Sequence, residues 1–409
     1  MKLSRRALPL LLAAPALAQA APKVVVIGGG FGGTSCARSL HGHGIDVTLV
    51  EARETYTSCP FSNAVIAGLR PLSTLRFGYE GVRRAGVRVV HAMATSVAGH
   101  EVNLADGTRL PFDRLVLSPG IALRFDALPG YSEAASETLP HAWQAGAQTE
   151  LLARQLMAME DGGTVVMTVP ENPYRCPPGP YERASLIAHF LKTRKPRSKL
   201  LVLDAKDAFS KQRLFEAAWA ALYPGILEYV PLSGGGKVTA VDALERRVTT
   251  DFGDHEGAVI NVIPPQRAGD IARIAGVSDR SGWCPIDPEN FESRLVPGVH
   301  VIGDAAIAGA MPKSAFAANA QGRVCAAAVA ALLRGASVPT PRLLNTCYSL
   351  VAPGCGISVA GVYRPANGLL SDIPGAGGTS PLNAPAATRE AEAAYAEDWF
   401  ATITADAFG

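Results

Sequence analysis

Thiols are the side chains in this 409-residue chain best suited to redox chemistry, and there are seven of them. Cys176 stands apart. It lies among four prolines in "NPYRCPPGPYER" (172–183), after a strand-like run, where a dinucleotide-binding unit would carry a glycine-rich turn. Prolines at that point prevent a cradle of backbone N–H groups from forming. Cys36 and Cys325 fall in helical stretches of small apolar residues, the usual setting of inert buried thiols. Cys284, in "GWCPID", reads as structural. Cys355 follows Cys347 closely and could compete with it for a partner. Structural disulfides are the ordinary expectation in an exported chain, and sequence alone leaves the connectivity open.

The elements that would position such a thiol begin near the N-terminus. "KVVVIGGGFGGTSCARSL" opens with a β-branched strand, places Gly28, Gly30 and Gly33 at G-x-G-x-x-G spacing, and continues as a helix. A second strand, "IDVTLVE", ends in Glu51. Each part has a physical role: Gly28 for the tight turn, Gly30 for backbone approach to a pyrophosphate, Gly33 for close helix packing. The helix N-terminus then faces the phosphates, and Glu51 can accept a hydrogen bond from a ribose hydroxyl. The glycine pattern is weak alone; strand, helix and acid together make it a strong dinucleotide signal.

Two later stretches favour FAD over NAD in this first unit. "PFDRLVLSPGI" (111–121) is a buried strand and turn, and "GVHVIGDAAIAG" (298–309) ends a strand in Gly303-Asp304. In flavoproteins with two dinucleotide domains, such a turn sets its carboxylate against the ribityl chain. The following helix starts near Lys313 and Ser314, so positive potential is expected at the flavin pyrimidine ring. Between about 160 and 255 the pattern restarts: a strand, a helix, a strand and a strand pair. This second unit lacks the glycine triplet, so no NADH site is expected there.

Composition sets outer bounds. The chain is 48% hydrophobic and 18% charged, as globular proteins are. Its net charge of +2 rests on Lys2, Arg5 and Arg6, so the rest is near neutral, and neither nucleic acid nor an anionic membrane surface is indicated as a partner. The first twenty residues read as an export signal: a basic start with the Arg5-Arg6 pair of the twin-arginine route, a proline-broken apolar run, and small residues at a cleavage site. That run is too short to span a bilayer. No C-x-x-C-H haem motif occurs, and the histidines show no metal-ligand spacing.

The chain resembles the flavoprotein subunit of flavocytochrome c sulfide dehydrogenase, a relative of the pyridine nucleotide-disulfide reductases. The motifs are "TSCPFSN", "LPHAWQAG", "RCPPGPYERAS", "VINVIPPQRAG", "GWCPID", "VIGDA", "MPKSAFAANAQG" and "LNTCYS", spread over nearly all of the chain after the export signal. The resemblance implies that Cys176 and Cys347 form a redox-active disulfide beside the flavin and that Glu182 handles a proton nearby. It implies that Cys59 can hold FAD covalently as a thioether and that Lys313 belongs to the flavin site. It also implies sulfide as substrate and a separate c-type cytochrome as electron acceptor. A disulfide there is an electrophile that hydrosulfide can open, so the thiol takes the place of a hydride donor.

The expected fold is α/β, with two Rossmann-like three-layer dinucleotide-binding-type domains and a smaller C-terminal domain. The expected divisions are an export signal at 1–20, a first FAD-binding part at 21–150, and a second Rossmann-like domain without an NAD fingerprint at 151–256. The second FAD-binding part follows at 257–340, and a C-terminal domain at 341–409. After a glycine- and proline-rich connection, the last helix, "REAEAAYAEDWFATI", is expected to pack with an acidic outer face formed by Glu390, Glu392, Glu397 and Asp398. That composition argues against membrane insertion. The expected protein is therefore a periplasmic FAD-dependent sulfide:cytochrome c oxidoreductase. The competing readings are a sulfide:quinone oxidoreductase, an NADH-dependent disulfide reductase, and a non-catalytic flavin-bearing sulfur carrier.

Overall fold

The computed structural model describes residues 21–409; the export segment expected at 1–20 lies outside the described residues. Five parallel strands form the first sheet, in the order Val299–Val301, Arg114–Leu117, Lys23–Ile27, Asp46–Val50, Arg88–Val90. The valine and isoleucine run at its centre is buried, as parallel strands covered on both faces must be. Gly28 turns the chain with φ +104°, and a Cβ there would lie 2.2 Å from the Ser118 carbonyl oxygen. Gly33 is held as tightly, since a Cβ would sit 1.8 Å from the Gly28 oxygen. The helix Phe31–Gly42 therefore starts almost in contact with the strand before it.

That helix packs along a second one, Ala315–Leu333, whose Ala317, Gly322, Cys325, Ala326 and Val329 are buried. Among the described residues, Ala315–Leu333 is the one helix long and apolar enough to cross a membrane by length and composition. Here it serves as a core helix, with its N-terminus capped by Ser314 Oγ accepting from Ala317 N–H at 3.0 Å.

The second unit repeats the design with four parallel strands, Leu227–Val230, Lys199–Asp204, Thr164–Val169 and Val259–Val262. The last of these corrects the expected division at 256. The chain completes this sheet before it leaves the domain, because "VINV" is fully buried against Val165–Thr168. The expected strand pair is a three-stranded meander, since Gly253–Glu256 adds to Val238–Asp242 and Arg247–Thr250.

The C-terminal part is a long hairpin, Leu343–Ala352 against Cys355–Ala366, followed by the helix Ala386–Phe408. The expected glycine- and proline-rich connection carries two further strands, Leu369–Asp372 and Gly378–Thr379, along the hairpin edge. On the first hairpin strand Leu343, Asn345, Cys347, Ser349 and Val351 are buried and alternate with partly exposed or exposed neighbours. The period of two thus puts Asn345, Cys347 and Ser349 on one face.

The terminal helix crosses back to the first domain. Its Phe408 ring stacks on Phe77 at 5.2 Å and on Tyr56 at 5.1 Å. One expectation for its acidic face fails. Glu392 is buried, accepting from Ser358 Oγ at 2.8 Å and from Ser380 Oγ, and paired with Arg389. Two hydroxyls and a guanidinium replace the water a carboxylate would otherwise need.

Candidate active site

A cavity of about 460 Å³ runs from the Gly28–Gly33 turn to the Cys347 strand. Its wall includes Gly28, Gly30, Glu51, Cys59, Cys176, Glu182, Gly303, Asp304 and Cys347. Four stretches of chain far apart in sequence thus meet around one space. Its size falls in the ordinary range for cofactor pockets.

At the dinucleotide end, Glu51 accepts from Gly29 N–H at 2.7 Å and from Arg53 N–H at 3.0 Å. Gly30 leaves the floor open, because a Cβ there would come no nearer than 3.5 Å to the Tyr56 ring. Asp304 is enclosed, and its Oδ1 has no hydrogen-bond partner; nor has Trp143 Nε1, also of a wall residue. Burial raises the Asp304 carboxyl, while Arg175 and Lys313 pull it down. Two orphaned polar atoms in a largely apolar wall point to a ligand that supplies hydroxyl and acceptor groups, since buried polar atoms are otherwise paired. The residues present fit FAD: the helix end suits the pyrophosphate, Glu51 a ribose, and Asp304 a polyhydroxyl chain.

Lys313 is placed differently from the expectation. It does not line the cavity. Its Nζ donates to the Asp304 and Ala306 carbonyls at 2.8 Å each and lies 3.9 Å from the centre of the Trp283 ring. Burial lowers the ammonium to about 8. The lysine therefore braces the Gly303–Ala305 turn from behind, and the cations in the cavity wall are Arg53, Arg175 and Arg183, of which Arg175 donates to the Trp143 carbonyl.

At the thiol end, Cys176 occupies a left-handed backbone conformation, φ 56°, that few non-glycine residues adopt without support. The support is local: Cys176 N–H donates to the Lys313 carbonyl at 2.7 Å, and its own carbonyl accepts from Gly179 N–H at 2.8 Å. The loop is thereby pinned to the start of the helix Gly179–Arg194. Burial, Cys347 and Glu182 push the Cys176 thiol well up, and Arg175 and Lys211 oppose them. All seven cysteines are free thiols in this structure, so the bond implied between Cys176 and Cys347 is not formed in it. Both thiols nevertheless line the same cavity. Cys347 Sγ accepts from Asn345 Nδ2 at 3.3 Å, and Cys59 Sγ lies 3.9 Å from the Trp143 carbonyl.

Glu182 links the two thiol-bearing elements. Its Oε1 accepts from Leu350 N–H at 2.9 Å and its Oε2 from Asn63 Nδ2 at 2.8 Å. Burial raises its carboxyl despite these bonds, which favours the form that carries a proton. Asn63 in turn accepts from Arg183 Nε at 3.0 Å. Sequence does not single out Asn63, Arg175 or Arg183, and it points to Trp399 only as a packing residue of the terminal helix; all four are in the cavity wall. Arg175 and Arg183 flank Cys176 and Glu182 in the motif itself, and that adjacency was the available signal.

His141 supplies a pH-dependent prediction. Its Nδ1 accepts from Trp143 N–H at 2.9 Å, so the ring is neutral with its proton on Nε2. Burial, with Arg183 and Arg175 nearby, lowers its pKa to about 3. The unfolded chain takes up this proton near 6.5, so the stability it contributes is complete above about pH 6.5 and lost as pH falls toward 3. By about pH 4.5 the loss is expected to reach roughly 2.7 kcal/mol. Urea unfolding at neutral and acid pH should show this difference shrinking by that amount in His141→Asn; an unchanged difference would reject it.

Three family models match consecutive parts of the chain: a pyridine nucleotide-disulphide oxidoreductase model over residues 22–158, the central region of the sulfide dehydrogenase [flavocytochrome c] flavoprotein chain over 149–264, and a flavocytochrome c sulphide dehydrogenase flavin-binding model over 339–408. The sulfide dehydrogenase [flavocytochrome c] flavoprotein chain of Chlorobaculum thiosulfatiphilum is 56% identical over 45 residues, 10% of this chain and 94% of that sequence. The mitochondrial sulfide:quinone oxidoreductase of Mus musculus is 24% identical over 299 residues, 69% of this chain. That match spans 65% of the mouse protein's own length. The X-ray structure of the sulfide:quinone oxidoreductase from Aquifex aeolicus shares the fold with a TM-score of 0.73 at 15% identity, covering 94% of this chain and 92% of that one. With its central and flavin-binding regions both matched, the chain belongs to the flavocytochrome c sulfide dehydrogenase flavoprotein family, an oxidoreductase family within the pyridine nucleotide-disulphide oxidoreductases.

Proposed function

We propose that this chain is a periplasmic sulfide dehydrogenase that binds FAD, oxidises sulfide to sulfur or polysulfide at Cys176 and Cys347, and delivers electrons to a c-type cytochrome. The observation that carries the reading is the convergence of both thiols and Glu182 on the cavity into which the Gly28–Gly33 turn opens. Bound FAD supplies a two-electron acceptor that can release its electrons singly.

The chain's own residues account for the sulfur chemistry. The step starts from the oxidised pair. Hydrosulfide attacks one cysteine sulfur, a new S–S bond forms to the incoming sulfur, and the bond between the cysteines breaks. One cysteine is left as a persulfide and the other as a thiolate, so atoms and charge balance. Arg175 and Lys211 provide positive potential for that thiolate. Glu182, with its carboxyl raised by burial, stands in the same wall as the group able to exchange a proton. Cys59, in the cavity wall, would carry FAD as a thioether, and colour that stays with the denatured protein would test this.

A quinone acceptor is the second reading, favoured by the names of the mouse and Aquifex proteins. Against it stands the acidic outer face of the terminal helix, with Glu390, Glu397 and Asp398 exposed, where a lipid-facing helix would carry lysine or arginine. The test is anaerobic addition of sulfide, and separately NADH, to the yellow protein. Bleaching by sulfide alone is the expected result; bleaching by NADH alone overturns the reading, and bleaching by neither moves the protein to a sulfur-carrier role. Turnover with cytochrome c but not with a soluble quinone then separates the two acceptors.

A further inference from the structure

A buried cation lies beneath the Cys347 strand. Lys211 stands just before the helix Gln212–Leu222 with a left-handed backbone, φ 63°, and is 8% exposed. Its Nζ donates to the Cys347 carbonyl at 2.9 Å, to Ser349 Oγ at 2.8 Å and to the Ile357 carbonyl at 3.5 Å. These bonds use all three donors of an ammonium. Among the described residues, buried Lys206 pairs with Asp204, whereas Lys211 has no carboxylate within 4 Å.

A buried charge without a counter-ion is costly to keep. The groups around Lys211 that can become negative come from three other elements: Cys347 on the hairpin strand, Glu182 and Cys176 on the helix Gly179–Arg194 and the loop before it, and Glu392 on the terminal helix. Burial lowers the ammonium to about 8, and these four groups hold it up. The Phe215 ring centre, 5.6 Å from Nζ, adds a weaker attraction. No titratable group would need to move for a thiolate formed in the cavity wall to gain a positive neighbour.

We propose that Lys211 is a positioning residue for the Cys176–Cys347 pair: its hydrogen bonds hold the strand that carries Cys347, and its charge balances the thiolate released when the pair opens. This rests on the redox role assigned to the pair above.

The test uses the full chain with FAD bound, reduced with dithiothreitol, freed of it anaerobically, and alkylated with iodoacetamide at about neutral pH. Peptide mass spectrometry gives the rate at each cysteine. In Lys211→Met, alkylation of Cys176 or Cys347 is expected to slow at least about ten-fold, the effect of one pKa unit. Lys211→Arg should stay within about three-fold of the original rate, because it keeps the charge. Cys355, whose charged neighbours are Arg389 and Glu392, is the internal reference and should not change. Lys211→Gln keeps a donor for the Cys347 carbonyl and removes only the charge, so its ratio to Lys211→Arg decides the matter if Lys211→Met does not fold. Unchanged rates at both cysteines, or equal slowing at Cys355, overturn the proposal. Alkylation needs no sulfide: a protein that sulfide fails to bleach but that shows the Lys211 effect rejects the substrate and keeps the lysine's role.

Discussion

Replacing Cys347 with serine is expected to reduce sulfide-driven bleaching of the bound flavin by about a thousand-fold or more, with FAD content unchanged. Serine keeps nearly the same shape in the strand and can still accept from Asn345 Nδ2, which now approaches Sγ at 3.3 Å. It cannot form the sulfur–sulfur bond on which hydrosulfide attack depends. Cys176→Ser should lose as much, and the double variant no more than either single one. Groups that act as a unit fail together, so their effects do not add. Anaerobic stopped-flow absorbance measures all three. A single variant that keeps more than a tenth of the original rate would show that the two thiols do not work as a pair.

Arg183→Met is expected to cost roughly 4 kcal/mol of folding stability, the range found when one member of a buried polar network is removed. Arg183 is 1% exposed. Its guanidinium donates to Asn63 Oδ1 at 3.0 Å, to the His141 carbonyl at 2.9 Å, to Asn261 Oδ1 at 3.0 Å and to the Ala142 carbonyl at 2.5 Å. Four acceptors would be left buried without this donor. Burial already lowers the guanidinium to about 9, so its charge is held at some cost and the hydrogen bonds justify it. Methionine fills similar volume but offers no donor, which isolates the polar loss from the packing loss. Urea unfolding should register the change, and a loss below about 1.5 kcal/mol, the worth of one ordinary hydrogen bond, would show that the network carries little. The Asn63 amide would also lose the donor to its Oδ1 and keep only its bonds to the Gly179 carbonyl and Glu182.

The site was legible in sequence wherever one short segment sets its own geometry. Gly28, Gly30, Gly33 and Glu51 belong to a strand–turn–helix–strand unit whose spacing follows from backbone sterics; Gly28, Gly30 and Glu51 line the cavity, and Gly33 packs against the Gly28 carbonyl. Asp304 was legible for the same reason, and Cys176 because prolines around a lone thiol stand out. What sequence could not show was direction. A lysine beside a helix N-terminus suggests positive potential, but the Lys313 side chain found two carbonyls and the Trp283 ring behind the turn. Nor could it show partners brought together only by folding. Lys211 meets the Cys347 carbonyl across 136 residues, and no local motif announces it. Glu392 fell on the wrong side of the expectation because Ser358 and Ser380, supplied by other segments, solvate it. The second domain extends past the division expected at 256 because an apolar run such as "VINV" reads the same in sequence whether it ends one sheet or begins another.

The two thiols share a wall although about 170 residues of chain separate them. A bond between them would tether two distant points of the denatured chain and remove loop entropy worth about 5 kcal/mol. Oxidation state would then set heat resistance as well as reactivity. Each turnover would pass through a softer, untethered form, and prolonged lack of an electron acceptor would leave the protein resting in it, more exposed to proteases than in its oxidised state.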